Sequence, residues 1–280
     1  MALVKEYFEL AAKYESLYGK QTFLLMQVGA FFEVYGKREK AGDGTLTGSQ
    51  IQEFTRICDL NIAEKHVTIE SAEVVMAGFK DIMIEKYLKK IQEAGFTAVV
   101  YTQDEQIKTQ RSLAGVFSPG TFFSNDSNGP ITNNTTCIWI ESFANKSSLL
   151  KQTERSIIVG LANIDVYTGK TSMFQFQEAY TKSPTTYDEL ERFISITCPS
   201  EVVFISSLPE DEMDDIIQYA SIQQQAKMIH KISTTREDES AGSAKMQQIK
   251  NCEKQNYQKE IVMRFYPQMD FEVFTHQFLY

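Results

Sequence analysis

Two residues, Gly29 and Ala30, separate the apolar run Gln21–Val28 from the segment Phe31–Tyr35. A connection this short turns the chain straight back, so the flanking segments are expected to pair as an antiparallel hairpin. Side chains alternate across a strand, which puts Phe31 and Glu33 on one face and Phe32 and Val34 on the other. If Phe32 and Val34 are the buried pair, Phe31 and Glu33 project outward together, an exposed ring beside an exposed acid. In a helix the same two residues would diverge by about 200°, so a joint role requires the extended form. The residues alone also allow a plainer arrangement, with Phe31 in the core and Glu33 solvated.

The rest of the chain alternates between strand and helix patterns. Lys5–Tyr18 carries Tyr7, Phe8, Ala11, Tyr14, Leu17 and Tyr18 at three- and four-residue intervals, which predicts an amphipathic helix stopped by Gly19. After the hairpin, 36–40 is polar, and 42–49 has the composition of a mobile loop. A helix is expected over Ile51–Cys58, with strands over Val67–Glu70 and Glu73–Gly78. A helix over Ile82–Glu93, closed by Gly95, leads to strands over Thr97–Tyr101 and Ser112–Phe117. The turn-rich stretch Ser124–Asn134 reads as a boundary. Beyond it, strands are expected at Thr136–Ile140, Ser156–Asp165 and Thr171–Phe176, the last two joined by a hairpin at 167–170. A helix over Pro184–Ile196, a strand over Glu201–Ile205, a helix over Asp211–Tyr219, an edge strand over Lys227–Ile232 and a helix over Met246–Phe265 follow. That order resembles a ribonuclease H-like layout. The fold class is therefore α/β: a mixed α/β domain over 1–124, a linker over 125–134, a ribonuclease H-like α/β domain over 135–266, and the start of a further region over 267–280.

A chain of 280 residues suits two domains of average size, and 42% hydrophobic against 23% charged residues allows a sizeable core. No apolar run approaches a membrane span and the start is unlike a secretory signal, so an intracellular, non-secreted setting is expected, with the compartment open. Cys58, Cys137, Cys198 and Cys252 are far apart and read as buried thiols. His66, His230 and His276 are isolated, and no metal or cofactor site is predicted in this chain. The net charge of −9 argues against nucleic-acid binding by bulk electrostatics. It is unevenly distributed: 1–124 has 14 basic and 16 acidic side chains, 125–280 has 14 and 21. The first part is close to neutral, and the second is the acidic one.

Several elements in order resemble the MutS family of DNA mismatch-repair proteins. They are the G-x-F-x-E element at Gly29, Phe31 and Glu33, the segment Cys58–Ile62, Met76-Ala77-Gly78 ahead of Glu85–Leu88, Pro119-Gly120-Thr121, and Ile164–Gly169 with a D-x-x-x-G hairpin. The form of Met26–Tyr35 is similar to the variant group found in large DNA viruses and some animal mitochondria. The resemblance implies a mismatch-recognition domain followed by a connector. It implies that Phe31 wedges into the minor groove at a mispaired or unpaired base while Glu33 hydrogen-bonds to that base. Lys37, Arg38, Lys80 and Arg111 are the candidates for phosphate contacts. The family often has Asp where this chain has Ala30, Ile-Pro where it has Phe79-Lys80, and a second basic residue where it has Gly115. By the same resemblance this is an N-terminal, non-catalytic fragment. ATP and magnesium would belong to the parent protein, which would act as a homodimer on duplex DNA with mismatches or small loops and reach a repair factor through the connector.

Two features imitate other chemistry. Gly169-Lys170-Thr171 resembles the end of a Walker A loop, but Ile164 stands where that loop needs a glycine and a strand follows where it needs a helix. Asp165 sits where ribonuclease H-like nucleases keep a metal-binding aspartate, and Asp211, Glu212, Asp214 and Asp215 are the further acids a two-metal site would need. Those four also suit a helix start, where the dipole favours acids. A metal-dependent nuclease and a protein-interaction module without mismatch specificity are the alternatives.

Overall fold

The computed structural model describes residues 2–39, 45–69, 72–104, 106–123, 132–146, 153–234 and 243–265. Helix α1 (Ala2–Tyr18) leads into β1 (Thr22–Val28) and β2 (Phe31–Arg38), paired antiparallel with Val28 opposite Phe31. Gly29 takes φ 59°, a left-handed value that suits glycine in a two-residue turn. The expected polar exit at 36–38 instead continues β2. Leu46–Thr47, within the expected loop, forms a short strand β3 paired with Lys37 and Arg38. Residues 42–44 of that loop lie outside the described residues.

Helix α2 (Ile51–Cys58), β4 (Ala63–Ile69), β5 (Ala72–Lys80), α3 (Ile84–Glu93), β6 (Thr97–Gln103) and β7 (Arg111–Phe117) complete the first sheet, ordered β4-β5-β2-β1-β6-β7 with β3 on β2. The pair β1–β6 is parallel and the others are antiparallel. Helix α3 starts two residues later than its apolar spacing suggests. Residues Asp81–Met83 form a 3-10 turn, and Ile82 is 80% exposed rather than on the buried face.

Both faces of this sheet are covered. On one, Tyr7 of α1 meets the Tyr35 ring edge-on at 4.9 Å, and the Tyr14 and Tyr101 hydroxyls lie 2.8 Å apart. On the other, Phe32 lies against its cross-strand neighbour Phe79, which also packs on Phe54 of α2 and stacks on Tyr87 of α3 at 4.1 Å. Phe32 and Val34 are buried, as their alternation predicts.

The second sheet contains β8 (Asn134–Lys146), β9 (Thr153–Asp165), β10 (Thr171–Ala179), β11 (Glu201–Ser206) and β12 (Met228–Ser233) in the order β10-β9-β8-β11-β12. The first three strands are antiparallel, and β8, β11 and β12 are parallel, the arrangement of a ribonuclease H-like sheet. Its core joins Ile138, Ile157, Val159 and Phe204 to Leu190 and Ile194 of α4 (Asp188–Thr197) and to Met213 and Ile216 of α5 (Glu210–Tyr219). A short helix α6 (Ile222–Gln225) precedes β12, which is an edge strand as expected. The linker residues 125–131 lie outside the described part, as do 267–280 and His276.

Residues 1–233 make one compact unit and 234–280 a second. The second holds α7 (Ser243–Cys252) and α8 (Gln255–Phe265), where a single helix was expected. The Lys254 N–H bonds back to the Asn251 carbonyl, and the Gln258 side chain reaches the Cys252 carbonyl, so capping bonds replace the helical ladder at 253–254. All four cysteines are free, but only Cys58 is buried; Cys137 is half-buried, and Cys198 and Cys252 are exposed, contrary to expectation. Cys198 occupies a left-handed cap after α4, which turns it outward. Among the described residues, no helix is long and apolar enough to cross a membrane.

Within the first unit, Glu201 ties the two sheets together. Its Oε2 accepts the Gly120 N–H at 2.8 Å and its Oε1 meets His230 Nε2 at 2.8 Å. Burial pushes this carboxyl up, but bonds from His230, Ser118 and Gly120 outweigh it and hold the group below the usual glutamate range. Glu201→Ala leaves the Gly120 N–H unpaired, and a loss of about 1–3 kcal/mol is expected in urea titration. A folded value below the unfolded one means the charged form stabilises fully above about pH 4.3 and stops doing so as pH falls through the folded value. The stability gap between wild type and Glu201→Gln should therefore narrow below that pH.

Candidate nucleic-acid interface

Phe31 is the first residue of β2 and is 44% exposed, directly opposite Lys80 on β5 and Val28 on β1. The hairpin tip that carries it is fastened by polar side chains. The Gln103 N–H donates to Gln27 Oε1 at 3.0 Å, the Gly29 N–H donates to Gln103 Oε1 at 3.0 Å, and Arg111 Nε donates to the Gln27 carbonyl at 2.8 Å. The Asp81 N–H bonds to the Ala30 carbonyl at 2.9 Å, which places the exposed Ile82 beside the same turn. An exposed aromatic ring is thus held on a stiff tip, because its flanking backbone is bonded from β5, β6 and β7.

Glu33 departs from expectation. It shares the face of Phe31, as alternation requires, but it is only 6% exposed. Its Oε2 accepts the Tyr35 hydroxyl and lies 2.6 Å from Lys65 Nζ. Tyr35 follows at the next position on that face and packs against Tyr7 of α1, so Glu33 is covered by Tyr35 and Lys65 while Phe31 stays open. Burial, with the neighbouring Glu33 carboxylate next, pushes the Tyr35 hydroxyl far above its ordinary range and leaves it a neutral donor. The Lys65 ammonium also sits 5.3 Å from the Tyr35 ring centre. Lys65 comes from β4, where the pairing with β5 is irregular between Glu64 and Thr68 and His66 takes φ 56°. Opposite Glu33 on β5 stands Gly78, where a Cβ would lie 2.5 Å from the Phe32 carbonyl and 3.4 Å from Glu33 Cγ. Only a glycine fits this close approach.

The four basic candidates do not form one group. Lys80 is exposed beside Phe31. Arg111 reaches the same end of the sheet but donates to the carbonyls of Gln27 and Thr109, two of its five N–H groups. Lys37 and Arg38 lie six and seven residues further along β2, about 20 Å away at ~3.3 Å per residue. There Lys37 Nζ sits 4.9 Å from the Phe8 ring centre and Arg38 lies 3.7 Å from Glu64. Sequence reasoning missed Lys65 and the role of Tyr35. The i, i+2 spacing of Glu33 and Tyr35 carried a signal for the second; the irregular register of β4 hid the first.

The residues that imitate other chemistry are locally engaged. Asp165 Oδ1 accepts the Asn133 and Tyr167 N–H groups, and Oδ2 accepts the Thr168 hydroxyl at 2.6 Å, which closes the β9–β10 turn. The Thr168 bond and the backbone bonds hold this carboxyl below the usual range. Glu212 accepts the Tyr180 hydroxyl at 2.6 Å and lies near Arg155 and Lys182, while Asp214 pairs with Lys231. Among the described residues, no three His, Cys, Asp or Glu side chains converge to hold a metal ion. Gly169 takes φ 68° in a hairpin, and β10 follows it where a phosphate-binding loop would need a helix.

A family model for MutS domain I matches residues 2–126, the part that contains the first sheet and its three helices. A mutS homolog of Acanthamoeba polyphaga mimivirus, named for DNA mismatch repair, is 25% identical over 199 residues. The match covers 70% of this chain and 17% of the viral protein, so the chain spans a minor part of that relative's length. Among solved structures, the AGO MID-PIWI domains of N. crassa align over 50% of this chain and 54% of that one, at 11% identity and a TM-score of 0.27, too distant to bear on the fold. Residues 2–126 are similar to MutS domain I, and the two matches together support a MutS-family N-terminal fragment.

Proposed function

We propose that this chain recognises mispaired or unpaired bases in duplex DNA, with Phe31 as the wedge. The observation that carries the reading is an exposed ring on a hairpin tip whose backbone is bonded from three neighbouring strands. The family match and the name of the viral relative support the substrate class. Driving an apolar side chain into a base step costs a few kcal/mol of unstacking, and least where pairing is already defective. A stiff tip makes that cost fall on the DNA rather than on the protein, so the deformability of the duplex becomes the quantity sensed. Lys80 stands directly across from Phe31, and on this reading it would meet a phosphate beside the opened step.

Glu33 supplies the second criterion. A carboxylate is repelled by phosphates and gains only where a displaced base offers a donor. The acidic second part of the chain would serve protein contacts, and the longer protein implied by the viral relative would use ATP and magnesium and close on DNA as a homodimer. The activity of this chain itself is binding.

The test is titration of the 280-residue chain into a matched duplex and the same duplex with one unpaired base. Stacking on an aromatic side chain is worth about 1–3 kcal/mol, so Phe31→Ala should cut the preference for the defective duplex by about 5- to 150-fold, or to parity. An unchanged preference overturns the wedge. Glu33→Ala should alter the preference while matched binding holds or strengthens, because the change leaves a positive Lys65 near the phosphates; equal weakening on both duplexes contradicts this role.

A further inference from the structure

Glu33 is 6% exposed and its Oε2 is held by Lys65 and Tyr35, so the carboxylate must turn outward before a displaced base can reach it. The two charges are well covered, the Glu33 side chain 7% and that of Lys65 24% exposed. Closed in this way, the pair presents almost no net charge to an approaching duplex, whereas a bare carboxylate would repel it. Lys65 is poorly tethered by backbone, since it lies in the irregular stretch of β4, and its four-carbon stem is flexible.

We propose that Lys65 is a positioning residue in an exchangeable ion pair: when Phe31 opens a defective step, Glu33 turns to the displaced base and the Lys65 ammonium passes to a backbone phosphate. This rests on the base-sensing reading of Phe31 and Glu33 given above. The exchange conserves charge and moves no proton. One ion pair and one Tyr35 hydroxyl bond are given up; one base-to-carboxylate bond and one ammonium-to-phosphate pair form. A matched duplex offers Glu33 no donor, so the pair stays closed and Lys65 stays off the phosphates.

The consequence is a difference in salt dependence. Each phosphate neutralised on B-DNA steepens the fall of log K with log salt by about 0.9. The wild-type chain should therefore show a slope about 0.9 steeper on the duplex with one unpaired base than on the matched duplex. Lys65→Met should remove that difference, and Lys65→Arg should keep it, which a merely structural role would not produce. If Lys65→Met prefers the defective duplex and retains the wild-type slope difference, the exchange is overturned and the wedge stands. If the wild type shows no preference at all, the underlying reading falls and the exchange falls with it. Should Lys65→Met fail to fold, equal wild-type slopes on the two duplexes are enough to overturn the exchange.

Discussion

The reading edge depends on β2 lying inside a sheet that is covered on both sides. Phe32 and Val34 pack toward Phe79 and the α2–α3 face, while Tyr35 packs under Tyr7 of α1. With alternate residues buried in opposite directions, a register slip of one residue would move every side chain to the wrong face, so the strand has one stable setting. Phe31 is exposed because it is the first strand residue, next to the turn. The same packing that buries the next five residues presents this ring to solvent.

The Glu33–Lys65 pair is a poor candidate for a stability device. Covering two charges costs several kcal/mol per ion before their attraction offsets it, and well-packed apolar residues often do as well in such places. What the pair supplies is position. Tyr35, kept neutral by burial, can only donate toward Glu33, and Lys65 fills the remaining side of the same oxygen. On the proposed reading, a carboxylate covered behind an aromatic wedge would be reached only after the wedge had opened the stack, so deformation would come first and hydrogen bonding second.

Much of this was legible from residue patterns alone. The two-residue turn, the burial of Phe32 and Val34, the alternating α/β order and the strand sequence of the second sheet all follow from local periodicity and glycine placement, which act over a few residues. The exposure of Phe31 was legible only as one arrangement of two. The burial of Glu33 was not, because it depends on a lysine 32 residues away in an irregular strand, and no periodicity reports a partner across two strands. Ile82 misled for a related reason: its spacing fits the apolar face of α3, but the 3-10 turn before Ile84 rotates it out to solvent. The four basic candidates were read without their spacing in the fold, which puts Lys80 beside Phe31 and carries Lys37 and Arg38 to the far end of β2.

Strand β7 links the reading edge to the second sheet by covalent continuity. At its start Arg111 grips the Gln27 carbonyl behind the hairpin tip. Just past its end the Ser118–Thr121 turn offers the Gly120 N–H to Glu201 of β11, and Asn133, ahead of β8, bonds the Pro119 carbonyl at 2.9 Å. The anchor at Glu201 is polar and partly ionic, whereas each sheet keeps its own apolar core. Polar contacts of this kind can shift register without opening a core. The joint between the sheets is fixed by directional polar bonds to Glu201 and Asn133, while each sheet is held by its own apolar core.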